Sequence, residues 1–298
     1  YNNTLLKFDI VTDNLDGQKI LSLTTADGFD ERKMPIGVNA NPESVMKWLK
    51  SRIIPKNREF VYSFLEKNGL SHNDIKGILQ ISKGLSLNDS YWIVEDDNER
   101  FEDYNLYEHD FLKALSLLAY TGYGSSPAKG FISSPEFTTS GMLRKGWRRL
   151  NGKILLYKGG TSGASNAGNE PYSEYYASQI ARKMELNHVY YSLAKWKGCI
   201  CSVCELFTDI DHSYVPIYRF VKDYSLRTVS DYIRSLGKDY YDKFVDMLIF
   251  DALIYNEDRH FGNFGLIVDN KTNMPCSFAP LFDNGLSLFN YATDEKLE

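Results

Sequence analysis

An α+β fold is expected for this chain of 298 residues on three patterns in its sequence. Apolar side chains recur at helical spacing in residues 176–184 and 244–253. Short strand-like runs such as Ile20-Leu21-Ser22-Leu23 stand between turn signals. The dipeptide Asn151-Gly152 separates two such runs, residues 146–150 and 153–158. Both of its residues tolerate positive φ, so the runs read as antiparallel strands joined by a tight hairpin.

Composition bounds the function classes. Hydrophobic residues make up 43% and aromatics 14% of the chain, enough for real cores. A net charge of -5 gives no global attraction to nucleic acid or anionic lipid, so neither direct nucleic-acid contact nor a membrane partner is expected. No apolar run reaches the roughly 18 residues that a membrane span needs. The start, Tyr1-Asn2-Asn3-Thr4, lacks the basic-then-apolar layout of a secretory signal, and a cytoplasmic address is expected. Of the four cysteines, Cys199 and Cys201 alternate with Val203 like one face of a strand. They read as small hydrophobes, because Cys276 is the only other thiol beyond Cys204 and no histidine completes a zinc spacing.

Three regions follow. Residues 1–115 form an accessory region that names no chemistry. Asn41 before Pro42 is a helix N-cap followed by proline at the first helical position. A second helix is expected over residues 58–68, with Phe60, Val61, Phe64 and Leu65 on one face and Gly69 as its stop. Between Val94 and Asp110 eight acidic residues face one cation, Arg100, and read as a solvated stretch.

Residues 116–222 hold the hairpin. The segment before it, Thr138-Thr139-Ser140-Gly141-Met142-Leu143-Arg144-Lys145-Gly146, carries small residues, bracketing glycines and two cations. Such a loop can aim N–H groups and positive charge at phosphate oxygens, although glycine and serine runs are more often plain connectors. Residues 159–169 are nearly free of large side chains and read as a mobile loop. The helix after it places Tyr176, Ala177, Ile180, Ala181 and Met184 on one buried face, with Glu174 in its first turn. There Glu174 either complements the helix dipole or pairs with Lys158 back on the strand.

In residues 223–298, Phe244, Val245, Leu248, Ile249, Ala252 and Leu253 predict one face of an amphipathic helix. The turn leaving it reads N-E-D-R-H-F-G-N-F-G from Asn256. Strands are expected over residues 264–268 and 277–282, joined by the polar loop 269–275. Asn263 and Asp283 each lie ten residues from Asn273, so folding that hairpin brings both to one open end, with Asp258 beside them. Two carboxylates and an amide oxygen suit a hard cation, Mg²⁺ or Mn²⁺, shared with a phosphate.

A strand lysine, a glutamate on the next helix, D-x-x-x-x-N and a later F-D-x-G together resemble the protein-kinase-like phosphotransferases. The form D-R-H-x-x-N with F-D-N-G looks like the HipA-like serine/threonine kinases, and it is also similar to the phosphoinositide-kinase branch. The resemblance covers about residues 130–290 and is aided by Ile217-Tyr218-Arg219-Phe220 near the expected hinge. It implies a bilobal protein-kinase-like fold with an additional N-terminal α/β region: 116–222 as the N-lobe-like part, and 223–298 as a C-lobe-like catalytic part, expected to be short.

The resemblance further implies ATP and Mg²⁺ as cofactors. Lys158 would meet the nucleotide phosphates, oriented by Glu174, and Asp258 would orient the attacking hydroxyl or accept its proton. Asn263 and Asp283 would hold Mg²⁺. Thr139, Ser140, Gly141 and Arg144 would cover the phosphates, and His260 would brace the loop. A protein with a serine or threonine acceptor, an antitoxin-like partner, and self-phosphorylation at Thr138, Thr139 or Ser140 are expected with it. Two rival classes stay open: a pseudokinase or partner-binding module without turnover, and a phosphoinositide-type lipid kinase, which the lack of a basic membrane-facing C-terminal segment opposes.

Overall fold

Local chemistry fixes most element boundaries in the structure, a computed structural model that describes residues 1–13, 17–124, 134–162 and 168–291. The chain divides into two compact units. The first comprises Tyr1–Arg149 with Asp209–Asp211 and Asn270–Asn273; the second comprises Leu150–Thr208, His212–Asp269 and Met274–Glu298.

In the first unit β1 (Leu6–Asp13) and β2 (Gly17–Thr25) pair antiparallel. Helices α1 (Pro42–Lys50), α2 (Val61–Lys67), α3 (Ile75–Ser82) and α4 (Lys113–Thr121) follow, and β3 (Lys145–Leu150) ends at the division. Asn41 caps α1 by accepting the Ser44 N–H at 2.9 Å, and Pro42 sits where no N–H partner is required. Helix α2 begins later than the pattern over residues 58–68 suggests. Phe60 takes a left-handed φ of 63° that breaks the helix, and the Arg58 side chain turns inward. Leu49, Phe64, Ile78, Leu115, Leu118 and Phe137 form the centre of the core. The acidic stretch is not wholly solvated: Phe101 and Leu106 are buried, with Phe101 stacked on Tyr1 at 5.0 Å.

The second unit opens with the hairpin into β4 (Lys153–Gly159), where Asn151 and Gly152 have φ of 51° and 78°, both positive as a tight two-residue turn demands. Helix α5 (Glu170–Lys183) leads to β5 (Tyr191–Trp196) and β6 (Cys199–Glu205), in a sheet ordered β3-β4-β6-β5. Cys201 is fully buried on β6. Then come β7 (His212–Pro216), α6 (Leu226–Leu236), α7 (Lys238–Ile254), β8 (Gly265–Asp269) and β9 (Met274–Phe278), with β7-β8-β9 forming an antiparallel sheet. Of the expected mobile loop 159–169, residues 163–167 lie outside the described residues.

Two helix faces and one strand depart from expectation. Helix α5 starts at Glu170, so Glu174 lies one turn inside it, and the buried stripe is Glu170, Ser173, Glu174, Ala177 and Ala181 while Tyr176 and Met184 are exposed. Helix α7 carries two apolar stripes. The one with larger rings, Phe244, Met247, Phe250 and Ile254, goes inside against Phe264 and Phe278, and Leu248, Ile249 and Leu253 stay exposed. Strand β9 starts at Met274, three residues before the expected Ser277, because the polar loop collapses to a short turn with Asn273 at φ 58° and a register shift at Ile267/Val268 absorbs the extra residue.

Candidate active site

Lys158 stands on β4 opposite Ser202 of β6 and is buried. Burial of an ammonium demands partners. Its Nζ lies 2.6 Å from Glu174 Oε1 on α5 and also bonds Asp283 Oδ1. Glu174, fully buried, uses its second oxygen to accept the Asn284 N–H at 2.8 Å. One carboxylate thus ties the strand lysine to the segment that carries Asp283.

Backbone pairing delivers that segment. Leu281 donates to the Asn187 carbonyl at 2.9 Å and accepts from the Val189 N–H at 2.8 Å, a short parallel bridge beside the entry to β5. Phe282 packs among Phe207 and Tyr214, at ring separations of 5.3 and 5.1 Å. The chain then turns at Asp283, whose φ of 56° is a left-handed conformation that aspartate tolerates better than most residues.

The loop after α7 is self-bracing. Tyr255 ends the helix in a left-handed conformation, and the Asn256 side chain accepts the Asp258 N–H at 3.1 Å. Asn263 donates its side-chain amide to the Asp258 carbonyl at 3.1 Å, an orientation that points its Oδ1 away from that carbonyl. His260 is exposed, and its Nδ1 accepts the Gly262 N–H at 3.0 Å, so it supports the loop. The Asp258 carboxylate takes no hydrogen bond from the described residues.

Loop and turn are joined by Arg259. One of its nitrogens, Nη1, donates to the Asn263 carbonyl at 2.9 Å and the Phe282 carbonyl at 2.5 Å. Asn263 and the residue before Asp283 therefore hang on a single atom. Lys158, Glu174, Asp258, His260, Asn263 and Asp283 all belong to the second unit.

Electrostatics distinguishes the groups. Burial disfavours the Lys158 ammonium, yet the charges of Asp283 and Glu174 outweigh it and hold its pKa above the usual lysine value. Burial raises Glu174, against the pull of Lys158. Partial burial also raises Asp258; His260 opposes this, Asp283 adds to it, and Lys158 opposes it. Cys204, buried near Glu174, is pushed up to about 12 and is inert as a nucleophile at neutral pH.

The four loop residues lie in the first unit. Arg58 donates to the carbonyls of Thr139 at 2.6 Å, Ser140 at 2.7 Å and Gly141, and Lys145 reaches the Ser140 carbonyl at 2.8 Å. Gly141 has a φ of 91°, a left-handed conformation that favours glycine; a Cβ there would fall 2.2 Å from Lys145 Nζ, the movable end of a flexible side chain. Arg144 lies over the Tyr120 ring at 5.6 Å.

Oxygen donors at Asn263 and Asp283 fit a hard divalent cation. Among the described residues no group of three or more His, Cys, Asp or Glu side chains could hold a metal. Sequence reasoning missed Arg259, Asp251 and Tyr191, whose hydroxyl faces the Asp283 N–H at 3.4 Å. The signal for Asp251 was a lone carboxylate inside the apolar run from Met247 to Ile254.

No protein-family model and no curated protein matches the chain. Among solved structures it is similar to the HipA chain of the Shewanella oneidensis MR-1 toxin–antitoxin system, solved with HipB and its operator DNA. That match has 11% identity, covers 98% of this chain and 78% of that one, and has a TM-score of 0.53. It is also similar to the Helicobacter pylori proinflammatory kinase CtkA, at 25% identity over 51% of this chain and 57% of that one, with a TM-score of 0.44. The chain thus spans little more than half of the Helicobacter kinase. The fold is α+β and is shared with HipA. No described helix is long and apolar enough to cross a membrane.

Proposed function

We propose that this chain is an ATP- and Mg²⁺-dependent protein serine/threonine kinase of HipA-like type. The observation that carries the proposal is the contact of Lys158 with both Glu174 and Asp283, while Arg259 Nη1 holds Asn263 beside the chain entering Asp283. A lysine held charged next to hard oxygen donors is the equipment for binding a polyphosphate with a divalent ion.

In this reading Lys158, aimed by Glu174, draws the nucleotide phosphates into place. Asn263 and Asp283 would hold Mg²⁺, which when bound supplies positive charge against the phosphate oxygens. Asp258 orients the acceptor hydroxyl and receives its proton; a strong base is not needed, because phosphoryl transfer depends mainly on placement and charge stabilisation. That the loop Thr139-Ser140-Gly141 with Arg144 would cover the phosphates is carried by the resemblance alone, since these residues belong to the first unit and Lys158 to the second. The loop's carbonyls are taken by Arg58 and Lys145 and the Thr139 N–H by the Pro135 carbonyl, so among the described hydrogen bonds the N–H groups of Ser140 and Gly141 are the ones left for that task.

Self-phosphorylation narrows to Ser140. Thr138 Oγ1 is buried and donates to Leu85, and Thr139 Oγ1 bonds Pro135 and Trp147, whereas Ser140 is exposed. An antitoxin-like protein partner belongs to the same proposal, by analogy with the HipA–HipB assembly. The expectation of no direct nucleic-acid contact rests on net charge alone, and nothing further supports it.

Transfer of labelled phosphate from ATP to protein acceptors tests the reading. Asp258→Ala and Asp283→Ala should each abolish transfer while circular dichroism shows a folded chain. Wild-type turnover in either variant would remove its assigned role. Stabilisation of the wild type by Mg-ATP with no transfer to any acceptor would select a nucleotide-binding pseudokinase instead.

A further inference from the structure

Arg259 follows Asp258 directly, yet its side chain is only 7% exposed and faces the interior. A guanidinium has five N–H donors, and here each meets an acceptor. Nε and Nη2 form a fork on Asp251 of α7, to Oδ2 at 2.9 Å and Oδ1 at 3.0 Å. The second Nη2 proton goes to Asn284 Oδ1 at 2.6 Å. Nη1 uses both of its protons on backbone, the Asn263 and Phe282 carbonyls. Asp251 is itself buried and also accepts from Asn256 at 2.9 Å, so the end of α7 and the loop after it share one anchor.

We infer that Arg259, paired with Asp251, is a positioning residue that sets the spacing between Asn263 and Asp283. Three chain segments end on one rigid planar group: the last turns of α7, the Asp258–Asn263 loop that follows, and the Phe282–Asn284 turn, which begins 23 residues beyond Arg259. Backbone bonds also join these segments, from the Glu257 N–H to the Leu286 carbonyl at 3.2 Å and from the Ala279 N–H to the Gly265 carbonyl at 3.0 Å, and Arg259 adds the ties next to the two oxygen donors, at the Asn263 and Phe282 carbonyls. Only arginine can do this. Lysine offers three donors from a point charge and cannot present a fork to Asp251 while reaching two carbonyls and an amide on the far side. Asp251 supplies the charge that lets the guanidinium remain buried, and losing either partner would strand the other.

The consequence for metal binding rests on the function proposed above; the coupling of the two segments does not. Groups that orient ligands from behind cost about 10–100-fold in metal affinity or activity when removed. The test has two readouts on the full chain. Hydrogen–deuterium exchange is followed in residues 256–264 and 280–288 of wild type and Arg259→Lys. The Mg²⁺ concentration for half-maximal phosphate transfer is measured at saturating ATP in the same proteins. Arg259→Lys should speed exchange in both segments, leave β4 and β6 unchanged, and raise the Mg²⁺ requirement about tenfold or more, a change that lost global stability would not produce. Should that variant fail to fold, Asn284→Ala, which removes one of the five bonds, should loosen the same two segments to a smaller degree. Wild-type exchange in a folded variant, or loosening of 256–264 alone, overturns the inference. A wild type that neither binds Mg-ATP nor transfers phosphate would defeat the proposed function, and the exchange result would still decide the role of Arg259.

Discussion

In the first unit the buried guanidinium of Arg58 ends on three backbone carbonyls, those of Thr139, Ser140 and Gly141, whereas in the second the buried ammonium of Lys158 ends on two carboxylates. The ionisation of the two cations follows. Burial brings Arg58 down to about 10, with Glu136 opposing, while Asp283 and Glu174 overcome burial and hold Lys158 above its ordinary value. Arg149 repeats the first pattern, reaching the carbonyls of Leu106, Tyr107 and His109, and Arg52 mostly does, with Gly84 and Tyr91 carbonyls beside Asp89. Neutral carbonyls can satisfy a cation's donors without adding formal charge, and such ties fasten loops. Carboxylates gathered around one lysine leave net negative charge that a divalent ion can complement. Single carboxylates also serve cations away from the site, as Glu99 does for buried Lys83, so it is the pair of carboxylates on one lysine that sets Lys158 apart.

The largest effect that could break this comparison is on catalysis. Lys158→Met should lower phosphate transfer by about 100–1000-fold, the loss typical of removing one donor to developing charge, and transfer near the wild-type rate would place Lys158 with the scaffold cations. Next comes stability. Arg52→Ala orphans Asp89 and two carbonyls and should lower unfolding free energy by about 3 kcal/mol in urea titration, while nucleotide affinity measured on the folded fraction stays as in wild type; a specific loss of affinity would erase the distinction.

The smallest effect concerns Asp258, whose pKa is raised above 3.8 by partial burial. A carboxyl raised in the folded state favours folding while protonated and loses that contribution as pH climbs through its folded pKa. Asp258→Asn should therefore melt at a higher temperature than wild type at pH 7, and the gap should close as pH falls toward 3.8. A gap that widens on acidification would contradict the burial of this group. Transfer by the wild type should decline over the same acidic range, since protonated Asp258 cannot accept the hydroxyl proton.

Local signals were the legible part of this molecule. Asn41-Pro42 marks the start of α1 and Asn151-Gly152 the hairpin, because capping and positive φ depend on one or two residues. Of the second-unit site, Asp258, His260, Asn263 and Asp283 stand out as polar groups among apolar neighbours, while Lys158 and Glu174 read as one alternative for a strand–helix pair and take their roles from the resemblance. Helix faces were less legible. On α7 both Leu248-Ile249-Leu253 and Phe244-Met247-Phe250 satisfy helical spacing, and only tertiary packing chooses the aromatic stripe. Arg259 was hidden for a related reason: its partners Asp251, Phe282 and Asn284 lie 8, 23 and 25 residues away, and one-dimensional spacing does not reveal a fork that closes across three segments.

The central claim is that Asn263 and Asp283 hold one divalent ion next to Lys158. Crystals of the chain grown with Mg²⁺ and a non-hydrolysable ATP analogue test it most directly. The account predicts an ion at about 2.1 Å from Asn263 Oδ1 and an Asp283 carboxylate oxygen, bridged to phosphates that contact Lys158. A nucleotide bound elsewhere, or an ion that touches only one of the two side chains, would contradict it.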